Sequence, residues 1–230
     1  MGVVYLVRHG QASFGAADYD QLSETGVAQS RVLGETLRPR MPRVDAVITG
    51  TLVRHRQTAD ACLAAMGVKL DARRSAAFDE FDMDEIIVRY EPKYEDRTVL
   101  MQDIATAPEP RRAFQELFSL AVARWVSGRH DDDYKEPWRA FRERCIRGME
   151  ELIRELGASK NALVFTSGGP ITAICQELLR TPDEHAFRLN TALANCGVTK
   201  VVYSERTRFL STLNEHGHFE GTQRALLTYR

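Results

Sequence analysis

The stretch that most constrains this chain is Val3-Val4-Tyr5-Leu6-Val7-Arg8-His9-Gly10. Five successive β-branched, aromatic and aliphatic residues, with no polar alternation, predict a strand buried on both faces, and such a strand needs helices on each side of its sheet. The apolar run ends in a cation, an imidazole and a glycine. Ligands of open α/β sheets bind beyond the carboxyl ends of the strands, so this strand delivers Arg8 and His9 to a place suited to chemistry. Taken alone, the tripeptide also fits a solvated turn.

The rest of the chain supplies the helices that such a strand requires. Gln11 to Gln21 is a polar loop containing Phe14 and Tyr19, expected to cover or border the strand end. A helix is predicted from Leu22-Ser23-Glu24-Thr25-Gly26 to about Leu37, with Ser23 as N-cap and Pro39 as the stop. Val44 to Thr49 predicts a second strand and Thr51 to Met66 its helix, closed by Gly67 as C-cap. A weaker strand falls between Leu70 and Phe78, interrupted by Arg73 and Arg74. Ala162 to Thr166 predicts another buried strand, after which Ser167-Gly168-Gly169-Pro170 opens a helix through Leu179 with Pro170 at its first position. A strand, a Gly-Gly turn and a helix start make an anion-binding arrangement, because unpaired N–H groups and the helix dipole converge there. Val198 to Tyr203 and Thr207 to Leu213 predict an antiparallel hairpin at a sheet edge, and the tail from Asn214 carries no assignable pattern. The alternation implies an α/β protein, a three-layer α/β/α arrangement with a mostly parallel central sheet and right-handed crossovers.

Residues 81–160 break the rhythm. Phe114, Leu117, Phe118, Ala121, Val122 and Trp125 recur at helical spacing, as do Trp138, Phe141, Cys145, Met149, Leu152 and Leu156. They predict a helical insertion within a single domain spanning 1–230, its aromatics facing a core rather than a ligand. The acidic run Asp131-Asp132-Asp133 is expected in a solvated loop.

Composition narrows the function classes. With 43% hydrophobic residues, 27% charged residues and a net charge of -1, the chain gives no reason to expect nucleic acid or a membrane surface as partner. Cys62, Cys145, Cys175 and Cys196 are widely spaced in apolar segments without a C-x-x-C pair, which predicts buried free thiols. No apolar run approaches the roughly 18 residues of a membrane span, and Met1 leads straight into the strand, so a cytoplasmic setting is expected.

Arg8-His9-Gly10, Leu22-Ser23-x-x-Gly26-x-x-Gln29 and Leu52-x-Arg54-x-x-Gln57-Thr58-Ala59 together resemble the histidine phosphatase superfamily, also called the phosphoglycerate mutase-like family. The resemblance covers most of the chain outside the helical insertion. Phe78-Asp79-Glu80 falls where that family places its acidic residue, and Asn214-Glu215-His216-Gly217-His218 resembles its closing Asn-x-x-x-His stretch. The resemblance implies hydrolysis of a small phosphomonoester through a phosphohistidine on His9, with no metal or other cofactor. Arg8 and Arg54 would hold the phosphoryl oxygens, since guanidinium forks match phosphate and stay charged. Glu80 would protonate the leaving oxygen and then activate water, which requires a raised carboxyl pKa; Asp82 is the alternative acid, and Glu80 also fits a solvated cluster with Asp79, Asp84 and Glu85.

Two departures qualify the resemblance. The family's second histidine sits at the end of the third strand, before two glycines, and this chain has Ser167 there. A serine donates a hydrogen bond but brings no positive charge; losing one preorganised donor costs about 3–4 kcal/mol of transition-state stabilisation, roughly a hundred- to a thousandfold in rate. The backbone N–H groups of Gly168 and Gly169, or His218 if the tail folds back, could compensate, whereas His55, His130 and His185 read as ordinary surface or packing histidines. Mutases of the family carry a polar residue and an asparagine where this chain has Ala12 and Gly15, which favours hydrolysis over phosphotransfer. Arg89, Lys93, Arg97, Arg111 and Arg112 in the insertion are candidates for substrate selection. A weakened enzyme serving as a phospho-ligand or protein-binding module, and a mutase-like phosphotransferase, stay open beside the phosphatase. The identity of the phosphoester and the oligomeric state are not legible.

Overall fold

A computed structural model describes residues 1–13 and 20–229. The expected cover by Phe14 and Tyr19, and the position of Gly15, lie outside the described residues. The chain runs β1 (Gly2–Arg8), α1 (Glu24–Arg40), β2 (Ala46–Thr49), α2 (Val53–Met66) and β3 (Arg73–Arg74). Four helices follow: α3 (Met83–Tyr90), α4 (Arg97–Thr106), α5 (Pro110–Val126) and α6 (Trp138–Leu156). The alternation resumes with β4 (Asn161–Thr166), α7 (Gly168–Leu179) and α8 (Asp183–Ala192), and ends in the hairpin β5 (Val198–Tyr203) and β6 (Arg208–Glu215). The sheet order is β3-β2-β4-β1-β5-β6. From β3 to β1 neighbouring strands are parallel, while β5 runs antiparallel to β1 and β6 antiparallel to β5.

β1 is apolar on both sides because each side faces its own core. Val4 and Leu6 join Val164, Ile171, Ile174, Cys145 and Met149 under α6 and α7. Val7, with Tyr5 against its edge, joins Leu163, Phe165, Leu33, Leu37, Leu63 and Met66 under α1 and α2. The first core extends into an aromatic cluster of Phe81, Trp125, Trp138, Phe141 and Phe187, with ring centroids 5.0 Å apart for Phe81 and Trp125 and 5.1 Å for the two tryptophans. Burying each such ring contributes about 1.5–3 kcal/mol, so the aromatics of α5 and α6 are packing, as their periodicity indicated. The four cysteines are buried free thiols, and burial raises their pKa values, which makes them inert. Among the described residues no helix is long and apolar enough to cross a membrane.

Some boundaries differ from the sequence reading. Pro39 lies inside α1, which continues to Arg40; a missing N–H in the last turn costs one hydrogen bond where the helix is ending anyway. Pro170 is the third residue of α7, not the first, and is tolerated because the first N–H groups of a helix have no partner within it. The weak strand after Leu70 shrinks to Arg73–Arg74 and is followed by a 3-10 turn at Ala76–Phe78. The tail forms 3-10 turns at Gly217–Phe219 and Gly221–Leu226.

Candidate active site

The carboxyl ends of β2, β4 and β1 lie side by side in the middle of the sheet. The His9 amide donates to the Thr166 carbonyl at 2.8 Å and the Gly50 amide to that of Phe165 at 3.0 Å. The motif residues around them are braces. A Cβ on Gly10 would lie 2.5 Å from the Gly26 carbonyl oxygen, and one on Gly26 would lie 2.2 Å from that of Gln11, so both glycines are needed for the start of α1 to touch the end of β1. The Gly10 amide donates to Thr58 Oγ1 at 3.0 Å, the Gln11 amide to Gln29 Oε1 at 2.8 Å and the Leu22 amide to Gln57 Oε1 at 2.7 Å. Ser23 caps α1 by accepting from the Gly26 amide at 3.1 Å. Gly10→Ala is therefore expected to lower stability by about 1–3 kcal/mol through backbone overpacking, read as a reduced urea midpoint with activity lost in proportion to the unfolded fraction.

His9 is buried with Nδ1 2.7 Å from the Gly10 carbonyl oxygen. A carbonyl oxygen only accepts, so Nδ1 carries the proton and Nε2 of the neutral ring keeps its lone pair. Burial, with Arg54, Arg8 and His55 nearby, holds the His9 pKa well below the usual 6.5. Asn195 Nδ2 donates to the His9 carbonyl at 3.0 Å and fixes the backbone. Arg54, buried in the first turn of α2, reaches Asp20 Oδ1 at 2.7 Å, while Asp20 Oδ2 accepts from the Val53 amide at 2.7 Å. Arg8 Nη1 donates to the carbonyl of Leu193 and, at 3.1 Å, to that of Tyr229.

Glu80 reaches the same place from the segment after β3. Its Oε1 and Oε2 accept from the Gly169 amide at 3.0 and 3.2 Å. Burial raises the Glu80 pKa above its usual 4.5, against the opposing pull of the Gly169 amide, Arg54 and Arg8. Its acidic neighbours are occupied elsewhere: Asp82 caps α3 through the Glu85 amide at 2.9 Å, and Asp79 takes the Thr51 amide and, at 2.6 Å, its hydroxyl. Glu80, and not Asp82, thus lies within electrostatic reach of Arg8 and Arg54.

Several sequence expectations are corrected. His55 is not a surface histidine but a packed one: it is fully buried, its Nε2 is 2.6 Å from Ser167 Oγ, and its ring centroid is 5.7 Å from that of His9. Its setting between two arginines reads as an exposed helix start, and no local signal marks it as buried. Gly169 was expected to offer its amide to a phosphate, but that amide serves the Glu80 carboxylate. Gly168 is buried at the first position of α7, where a Cβ would lie 3.0 Å from Asn190 Oδ1. The tail does fold back, yet it brings Tyr229 to Arg8, not His218. His218 packs on Phe219 at 4.1 Å, near Glu215 and Arg40, and burial lowers its pKa to about 4. In the insertion, Arg89, Lys93, Arg97 and Arg112 pair with Glu85, Asp103, Asp84 and Glu116 on its surface, and Arg111 is exposed. Ala12 is buried and bridges to Leu22.

A buried imidazole, two guanidinium groups and a carboxyl of raised pKa stand together at the strand ends of an open α/β sheet. The sequence model of the histidine phosphatase superfamily (branch 1) matches residues 4–98 and 105–216, and the chain belongs to that superfamily. Solved structures share its fold at low identity. A phosphoglycerate mutase from Bacillus anthracis is 19% identical with a TM-score of 0.65, over 94% of each chain. A phosphoserine phosphatase mutant from Entamoeba histolytica, in complex with phosphoserine, is 16% identical with a TM-score of 0.66, over 95% of this chain and 99% of that one. An α-ribazole-5'-P phosphatase assigned in Escherichia coli is 18% identical with a TM-score of 0.64, over 93% of this chain and 96% of that one. No curated protein matches the chain in sequence.

Proposed function

We propose that the chain is a phosphomonoesterase that works through a phosphohistidine on His9. The observation that carries this reading is the 2.7 Å contact from Nδ1 to the Gly10 carbonyl, which leaves the Nε2 lone pair as nucleophile beside Arg8, Arg54 and Glu80. Nε2 attacks phosphorus, the ester P–O bond breaks, and the leaving oxygen takes the proton of Glu80. Water then attacks the phosphohistidine while the Glu80 carboxylate takes its proton; inorganic phosphate departs and His9 is neutral again. Arg8 and Arg54 hold the phosphoryl oxygens through guanidinium donors that their backbone and carboxylate contacts orient. No step needs a metal, and the substrate is a small phosphoester.

Hydrolysis is favoured over phosphotransfer because Ala12 offers no polar side chain to hold a transferred group. A binding module on the same site is the second reading, supported by Ser167 at the third strand end in place of a charged donor. The test is phosphate release from a panel that includes phosphoserine, 3-phosphoglycerate, α-ribazole phosphate and glucosyl-3-phosphoglycerate, with acid-labile phosphate on His9 trapped by rapid quench and located by peptide mass. Turnover with phosphate on His9 is expected. Saturable phosphate binding with no turnover of any panel member would overturn the enzyme in favour of the binder.

A further inference from the structure

We propose that His55 and Ser167 act as one unit, in which His55 is a positioning residue that orients the Ser167 hydroxyl as a hydrogen-bond donor to the phosphoryl group at His9. The inference rests on the phosphohistidine reading and extends it to a residue outside the four groups that perform the chemistry.

The contact between the two is specific and dry. His55 and Ser167 are both fully buried, and Nε2 of one lies 2.6 Å from Oγ of the other. Ser167 follows β4, which pairs in register with β1, Thr166 opposite Arg8. The His55 ring stands 5.7 Å from that of His9, so the pair packs directly behind the His9 imidazole on the β4 side. The seat for the imidazole is built by Gly50: a Cβ there would fall 2.2 Å from His55 Nδ1 and 2.6 Å from Asp79 Oδ1.

Hydrogen-bond accounting fixes the direction of donation. His55 is neutral, since burial and the adjacent Arg54 cation hold its pKa well below 6.5, so it carries one N–H. Nδ1 is buried and has no hydrogen-bond partner. An orphaned buried N–H is rarer in proteins than an unused lone pair, which places the proton on Nε2, donating to Ser167 Oγ. The Ser167 proton is then not used by His55, and among the described residues Oγ makes no other hydrogen bond. On this proposal it is offered to the anion held at His9. Donation into Oγ from the imidazole polarises the outgoing O–H, since hydrogen bonds in a chain strengthen one another. An arriving phosphoryl dianion in turn favours the charged form of His55, opposing the effect of Arg54. The remaining titratable groups around the ring, His9 just after β1 and Asp79 after β3, do not hydrogen-bond to it.

A histidine at position 167 would have to share the space of the His55 imidazole, whose Nε2 lies 2.6 Å from Ser167 Oγ. The test compares His55→Ala, His55→Gln, Ser167→Ala, the double alanine variant and the exchange His55→Ala/Ser167→His. Readouts are kcat, KM and the rate of phosphate transfer to His9. Removing one preorganised donor predicts a fall in kcat of roughly a hundred- to a thousandfold in either alanine variant. The double variant should be no slower than the slower single one. His55→Gln, which keeps an N–H donor, should recover part of the loss, and the exchange should exceed His55→Ala. Transfer to His9 at the wild-type rate in folded His55→Ala, or multiplying losses in the double variant, would overturn the pairing while leaving the phosphohistidine itself standing. Should His55→Ala not fold, ring nitrogen NMR of the unaltered protein decides. Saturating orthovanadate is expected to shift the His55 Nε2–H signal and raise its pKa, and an unchanged signal overturns the proposal.

Discussion

His9→Ala is expected to reduce phosphate release to the background rate for every substrate that the wild-type protein hydrolyses, a loss on the order of 10⁴-fold or more, as when a nucleophile that acts as part of a unit is removed. Among the described residues the other candidates are engaged: the Glu80 carboxylate is tied to the Gly169 amide, and Ser167 is bonded to His55. The variant should keep its affinity for orthovanadate or phosphate, because Arg8 and Arg54 are held by Leu193, Tyr229 and Asp20 and not by the imidazole. Binding by calorimetry alongside steady-state rates checks this; substantial turnover in the alanine variant would remove His9 from the reaction. The same geometry sets the acid limb of the wild-type pH profile. His9 must be neutral to attack, and its pKa lies well below 6.5, so the nucleophile is fully available at neutrality. It is lost only as pH falls through that lowered value.

Glu80→Gln is expected to cost about 10²- to 10⁴-fold in kcat for alkyl phosphates, and far less for an aryl phosphate whose leaving group needs no proton. Glutamine can still accept from the Gly169 amide, so the effect isolates proton transfer from packing. The sign of the pH dependence follows from the raised pKa: Glu80 must be protonated to act as acid, so activity declines as pH rises through a value above 4.5. With the His9 limb on the acid side, the wild-type profile of kcat/KM is a bell. The glutamine variant should lose the alkaline side of it. Equal losses for alkyl and aryl esters would show that Glu80 acts otherwise than as a proton donor.

The parts of this molecule that were legible in its sequence are those determined by neighbours along the chain. The unbroken apolar runs of β1 and β4 marked doubly covered strands, Ser23 and Gly67 marked helix ends, and the Arg8-His9-Gly10 turn marked the end of β1. What escaped is set by tertiary approach. His55 sits between Arg54 and Arg56 as a solvated residue would, and its burial is decided by Gly50 and Ser167, far from it in sequence or lacking a side chain. The Gly-Gly turn does attract an anion, but that anion is the Glu80 carboxylate, which only folding brings there. Pro39 and Pro170 were read as boundaries because proline removes a donor; Pro170 stands where that donor has no helical partner, and Pro39 forfeits a single hydrogen bond in the last turn.

The setting of His9 has one further consequence, for the order in which the protein becomes competent. β1 comes near the start of the chain, yet its two neighbours in the sheet are β4 and β5, and its Arg8 and His9 are held by Leu193, Asn195 and Tyr229. During synthesis His9 therefore leaves the ribosome long before the groups that hold it. Contacts so distant along the chain form late and slowly compared with the α1 and α2 pair. A nascent chain ending after α6 carries His9 without the groups that hold it, and that setting is complete only once Leu193, Asn195 and Tyr229 have followed.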